Sequence, residues 1–172
     1  GTTYTFRVSA RNAVGVGAES STVSGSPFTT AAAPTSLLVT PGAGSVALSW
    51  TAPSADGGRT ITGYRIEQST DGGATWTVAI NDTGSSSTTA TISSLTNGTP
   101  YAFRVSARNA AGVGVASVPV SAVPASVPGS PASLTASATD GAVSLVWTAP
   151  ITNGGSLILG YRVDISTNGG SN

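Results

Sequence analysis

The chain has 172 residues, 39% of them hydrophobic and only 8% charged, with seven Arg balancing seven Asp and Glu for a net charge of zero. A neutral chain without Lys lacks the positive footprint that nucleic acid or an anionic membrane surface requires, and no apolar run reaches transmembrane length. With neither Cys nor His, disulfides, zinc thiolate sites, thiol nucleophiles and imidazole bases are excluded within these residues.

The chain repeats itself at a fixed distance. The run Gly1-Thr-Thr-Tyr-Thr-Phe-Arg-Val-Ser-Ala-Arg-Asn-Ala13 returns from Gly98 with Pro100 and Ala102 in place of Thr3 and Thr5, an offset of 97 residues, and the same offset relates Trp50 to Trp147, Tyr64 to Tyr161 and Gly72-Gly73 to Gly169-Gly170. A period of that size is a whole small domain, since solenoid units usually repeat every ~20–50 residues. The reading is one complete domain over residues 32–129. It lies between the back half of a neighbour, residues 1–31, and the front half of another, residues 130–172. Gly1 thus enters a repeat part-way, as if the chain were taken from a longer array.

In chain order, residues 1–31 should supply the last two strands of a repeat, with Tyr4, Phe6 and Val8 on one face. In the complete repeat a first strand is expected around Leu37–Thr40. Val46, Leu48 and Trp50 then share a face, as side chains on a strand do with period two. Tyr64 and Ile66 alternate with Arg65 and Glu67, and Asp71-Gly72-Gly73 supplies the turn to a strand at Trp76–Ile80. Ala90 and Ile92 mark the next strand. Tyr101, Phe103, Val105 and Ala107 then alternate with Arg104, Ser106 and Arg108. A last strand at Val118–Ala122 contains Pro119, which suits a sheet edge. Residues 130–172 should repeat the first three strands. Seven short strands in under a hundred residues predict an all-β, antiparallel two-sheet sandwich.

Trp50 with Pro53, Gly63-Tyr64-Arg65-Ile66, Leu95, the run Tyr101-Ala-Phe103-Arg-Val-Ser-Ala-Arg-Asn109 and Gly112-Val-Gly114 together resemble a fibronectin type III module. The resemblance implies an immunoglobulin-like seven-stranded sandwich in tandem array. Trp50, Tyr64, Leu95, Tyr101 and Phe103 are its structural signature, and the Tyr101 hydroxyl is bonded to backbone near Leu95. It also implies that the strand at Trp76–Ile80 joins the strands bearing Tyr64, Phe103 and the C-terminal edge in one sheet. The family's Arg-Gly-Asp motif is absent.

Chemistry has little material here. No catalytic, cofactor-binding or metal-ligating set is expected: no two carboxylates are spaced as in a glycosidase, and Asp71-Gly72-Gly73 offers one ligand where a calcium loop needs several. The acids read as solvated surface groups and turn formers. Arg65, Glu67, Arg104 and Arg108 share the outward parity of two strands, so exposed cross-strand ion pairs are the plain reading and a ligand-binding patch the sharper one. Trp76 either covers the sheet edge or stacks on a sugar ring. Arg65, Arg104, Arg108 and Trp76 are therefore the candidate interaction surface.

Pro recurs in the links Ala31–Pro34 and Val123–Pro131, which favours monomeric modules strung like beads on a semi-rigid string. The expected function is a non-catalytic spacer and protein or ligand interaction module in a large secreted or cell-surface bacterial protein. The bacterial, extracellular setting rests on the resemblance and on an Arg-only, Ala- and Gly-rich composition. The alternative is an accessory or carbohydrate-binding module of a secreted polysaccharide-degrading hydrolase. Partners would be protein or polysaccharide, with no cofactor, nucleic acid or membrane insertion.

Overall fold

Short alternating runs punctuated by glycine turns yield strands and no helix among residues 1–170, the residues that the computed structural model describes. Residues 171 and 172, the end of the expected third segment, lie outside the described residues. In the first segment β1 (Tyr4–Phe6) and β2 (Ser9–Arg11) run back along β3 (Val16–Glu19) and β4 (Val23–Gly25), with β1 paired to β4 and β2 to β3.

The middle repeat contains β5 (Thr35–Gly42), β6 (Ser45–Thr51), β7 (Gly63–Ser69), β8 (Thr77–Ile80), β9 (Thr89–Ile92), β10 (Tyr101–Asn109), β11 (Gly112–Ala116) and β12 (Val120–Ala122). They form two antiparallel sheets, ordered β5-β6-β9 and β11-β10-β7-β8, with β12 continuing beside β10. This is an all-β sandwich. The edge strand expected at Val118–Ala122 starts earlier, at Gly112, and is interrupted before Val120. At the interruption the Ser117 amide donates to Val105 O at 2.8 Å and the Val105 amide donates to Ser117 Oγ at 3.1 Å. The hydroxyl replaces a lost ladder acceptor, so neither buried backbone group is orphaned.

The inward sides of the two sheets meet through Val46, Leu48, Trp50, Tyr64, Ile66 and Ile92, closed from β10 by Phe103, Val105 and Ala107. Trp50 and Tyr64 pack edge to face, with ring centroids 4.9 Å apart. Burying each such large side chain contributes about 1.5–3 kcal/mol. At the end of the sandwich the Thr96 amide donates to Tyr101 Oη at 3.2 Å, tying the start of β10 to the turn that precedes it.

Of the three strands expected in 130–172, two form: β13 (Ala132–Thr139) pairs with β14 (Ala142–Thr148). Their register breaks between Ala132 and Thr135 as β5–β6 breaks between Thr35 and Leu38, with Ser133 and Ser36 at φ 54° and 53°. The expected third strand around Tyr161 carries no ladder. In the middle repeat β7 is held between β10 and β8, and among the described residues no strand pairs with residues 160–166. A lone extended run has nothing to exchange for its hydration. Trp147 and Tyr161 nevertheless keep the edge-to-face contact, at 5.3 Å.

Candidate interaction surface

The outward face of the five-stranded sheet brings together Arg65, Glu67 and Arg104, three of the four charged residues that parity placed there. Arg104 lies opposite Glu67 in the β10–β7 register, and Glu67 lies opposite Val78 in β7–β8, so side chains from three strands converge. Glu67 Oε2 accepts from Arg104 Nε at 2.7 Å, and Glu67 Oε1 pairs with Arg65 Nη2 at 2.9 Å. One carboxylate thus bridges two guanidinium groups. Beyond it the Arg104 guanidinium lies over the Trp76 ring, 4.3 Å from the centroid. This is cation–π geometry, and it occupies one face of the indole.

Glu67 corrects the expectation of freely solvated acids: the residue is 9% exposed. The cause is its central position, between two long Arg side chains whose stems cover the sheet. Ala102 and Ser106, small residues of the same outward parity on β10, are buried as well. Arg108, placed in the same patch by parity, turns instead to Asp82, at 3.4 Å. Gly63 makes room for that acid, because a Cβ there would overlap Asp82 Oδ1.

Trp76 is positioned by the turn before it. Asp71 accepts from Ser69 Oγ at 2.6 Å and from the Thr75 amide at 2.9 Å, while Ser69 Oγ accepts from the Gly73 amide at 2.9 Å. The hydrogen bonds from Ser69 and Thr75 hold the Asp71 carboxyl well below the usual carboxylate range. Gly73 then lies under the indole, where a Cβ would be 3.3 Å from Trp76 Cζ2.

A family model described as the fibronectin type III domain matches residues 32–123. The chain belongs to that family. Myomesin-2 of Homo sapiens is 32% identical over 181 aligned residues covering 95% of this chain, and Protein sidekick-1 of Gallus gallus is 36% identical over 128 covering 73%. The chain spans 12% and 6% of those two proteins. Among solved structures, domains A168-A170 from titin align with a TM-score of 0.55 and 29% identity over 69% of this chain and 40% of that one.

For a fibronectin type III sandwich the strand order explains which contacts the sequence hid. Arg65 and Glu67 are two apart on one strand, so their pairing was legible. Arg104 with Trp76 was not, because the contact spans β7 and depends on β10 and β8 flanking it. Asp82 carried no signal beyond its charge. Among the described residues no three Asp or Glu side chains gather as a metal site would require. The surface offers both signs of charge, an indole edge and a single excess cation from Arg65, Arg104 and Arg108 against Glu67 and Asp82. That is material for contacting a polar protein surface.

Proposed function

We propose that the chain is a non-catalytic structural spacer and interaction module within a multi-repeat protein. The observation that carries this is the unbroken 97-residue register, which relates residues 1–75 to 98–172 without insertion or deletion. The similarity to Myomesin-2 supports it by extending over 95% of the chain, beyond one repeat. The sheet face of Arg65, Glu67, Arg104 and Trp76 is the contact surface, with a protein of mixed surface charge as its partner. The carbohydrate-binding alternative draws no support from Trp76, whose ring is already stacked by Arg104. An Arg-only, Ala- and Gly-rich composition favours a bacterial source and the resemblance an extracellular setting, while the relatives named above come from animals and support the scaffold role alone.

Small-angle scattering on arrays of two, three and four repeats tests the spacer role. The maximum dimension should rise by a constant increment per 97 residues. A dimension that levels off as repeats are added, as in a collapsed cluster of domains, would refute it.

A further inference from the structure

The short links between repeats are docked rather than free. Residues 29–32, the end of the first segment and the start of the link, run alongside the loop Ala55–Gly58 of the middle repeat. The Thr29 amide donates to Gly57 O at 2.9 Å and the Ala32 amide donates to Ala55 O at 2.9 Å. From the other side Asn109, at the end of β10, donates through Nδ2 to Thr29 O at 2.9 Å and to Asp56 O at 2.6 Å. Asn109 is 4% exposed and Ala31 is 2% exposed, so the link is anchored by one buried residue while Thr29 and Ala32 on either side stay at the surface.

Three glycines make the approach possible. A Cβ at Gly57 would overlap Thr29 O, one at Gly58 would lie 2.6 Å from Gly1 N, and one at Gly114 would overlap Ala31 O. Gly57 and Gly58 also have positive φ, at 75° and 81°, and a turn alone would account for them. Gly114 does not, so close approach of the link is the physical reason for a glycine there. At its counterpart Gly17 no link is packed, and a Cβ would meet only Ala10 O at 3.5 Å.

The second link is built in the same way 97 residues later. The Ser126 amide donates to Gly154 O at 2.8 Å and the Gly129 amide donates to Thr152 O at 2.9 Å, and a Cβ at Gly154 would overlap Ser126 O. Side chains differ between the two. Arg59 lies over the Phe28 ring at 4.5 Å in the first, whereas Ser156 and Ala125 hold those positions in the second. Asp56 accepts from the Gly58 amide at 2.8 Å, and Asn153 does the same for Gly155 at 3.0 Å. Backbone and glycine recur where charge and aromatic contacts do not.

We propose that the Gly-Gly loop of each repeat is a docking site for the tail of the repeat before it, making every link a fixed joint that sets one orientation between neighbours. The partner it recognises is an extended backbone segment, the link of a second repeat of this kind. Beads on a semi-rigid string therefore become a rod of set geometry. This deepens the spacer role and rests on it.

Amide hydrogen exchange on the whole chain, read residue by residue, tests the joint. The Thr29, Ala32, Ser126 and Gly129 amides should exchange at least about 100-fold more slowly than free loop amides. Gly57→Ala and Gly114→Ala should each cost Thr29 and Ala32 about tenfold or more of that protection while the Phe103 and Val105 amides keep theirs. Gly72→Ala is the matched control: its φ is also 75° but nothing lies within 4 Å, so it should leave the joint intact. Asp56→Asn should do the same. Free exchange of the four amides in the unaltered chain would overturn the joint, as would equal behaviour of Gly57→Ala, Gly114→Ala and Gly72→Ala. Such a result would still permit a flexible spacer, which the scattering increment judges separately.

Discussion

Residues Tyr4–Asn12 and Tyr101–Asn109 differ at one position, Thr5 against Ala102, yet they end in different states. Tyr101–Asn109 is one continuous strand with Phe103 fully buried, while its twin breaks into β1 and β2 and leaves Phe6 55% exposed. What survives in both is the hairpin itself. The Ser20 amide donates to Val8 O at 2.8 Å and the Val8 amide donates to Ser20 Oγ at 3.1 Å, the same exchange that Ser117 and Val105 make. Local sequence thus sets the register of neighbouring strands. Continuity and burial come from β7, which pairs with β10 from Ala102 to Arg108 and has no counterpart beside Tyr4–Asn12.

The largest test of that difference is a pair of identical truncations. Phe103→Ala empties a fully enclosed site and should cost about 3–5 kcal/mol, whereas Phe6→Ala should cost less than about 0.5 kcal/mol. Urea unfolding followed by circular dichroism reads both. Comparable losses would mean that the first segment packs as tightly as the middle repeat.

A smaller effect separates two ion pairs at matching positions. Glu67, with its side chain 11% exposed, joins Arg65 and Arg104, while its counterpart Asp164 meets Arg162 with the two side chains 71% and 86% exposed. Removing the central carboxylate leaves two cations facing each other over the sheet. Glu67→Ala should cost about 1–2 kcal/mol and Asp164→Ala less than about 0.5 kcal/mol by the same unfolding measurement. Equal, small effects would show that water screens the middle repeat's face as fully as the other's.

The smallest contrast is in the turns. Asp71 and Asn168 occupy the same position, and each accepts from the serine two residues earlier, at 2.6 Å in both. Only Asp71 titrates. Its folded pKa is depressed, so the stability it contributes is present above the unfolded value of about 3.9 and is lost as pH falls below it toward the folded value. Asp71→Asn should flatten the decline of the urea midpoint below about pH 4 and leave a small loss at neutral pH. An acid decline identical to that of the unaltered chain would remove this turn from the pH dependence.

Much of the fold was legible because strand alternation and turn chemistry are local. Val46, Leu48 and Trp50, or Tyr64 and Ile66, announce their face whatever lies opposite, and the glycine pairs mark where the chain reverses. The surface was only half legible. Arg65, Glu67 and Arg104 share a parity, but the burial of Glu67, the stacking of Arg104 on Trp76 and the departure of Arg108 to Asp82 depend on strand order across the sheet.

By itself the sequence determined the 97-residue period, most strand positions of the middle repeat, the all-β class and the absence of thiol and imidazole chemistry, since these follow from spacing, alternation and composition. Only the tertiary structure decided that Glu67 is enclosed and that the Pro-containing links lie against glycine loops. Each of those outcomes requires backbone or charge to give up water for a partner far away in the chain, and whether that partner is present at the right distance is a property of the assembled sheets.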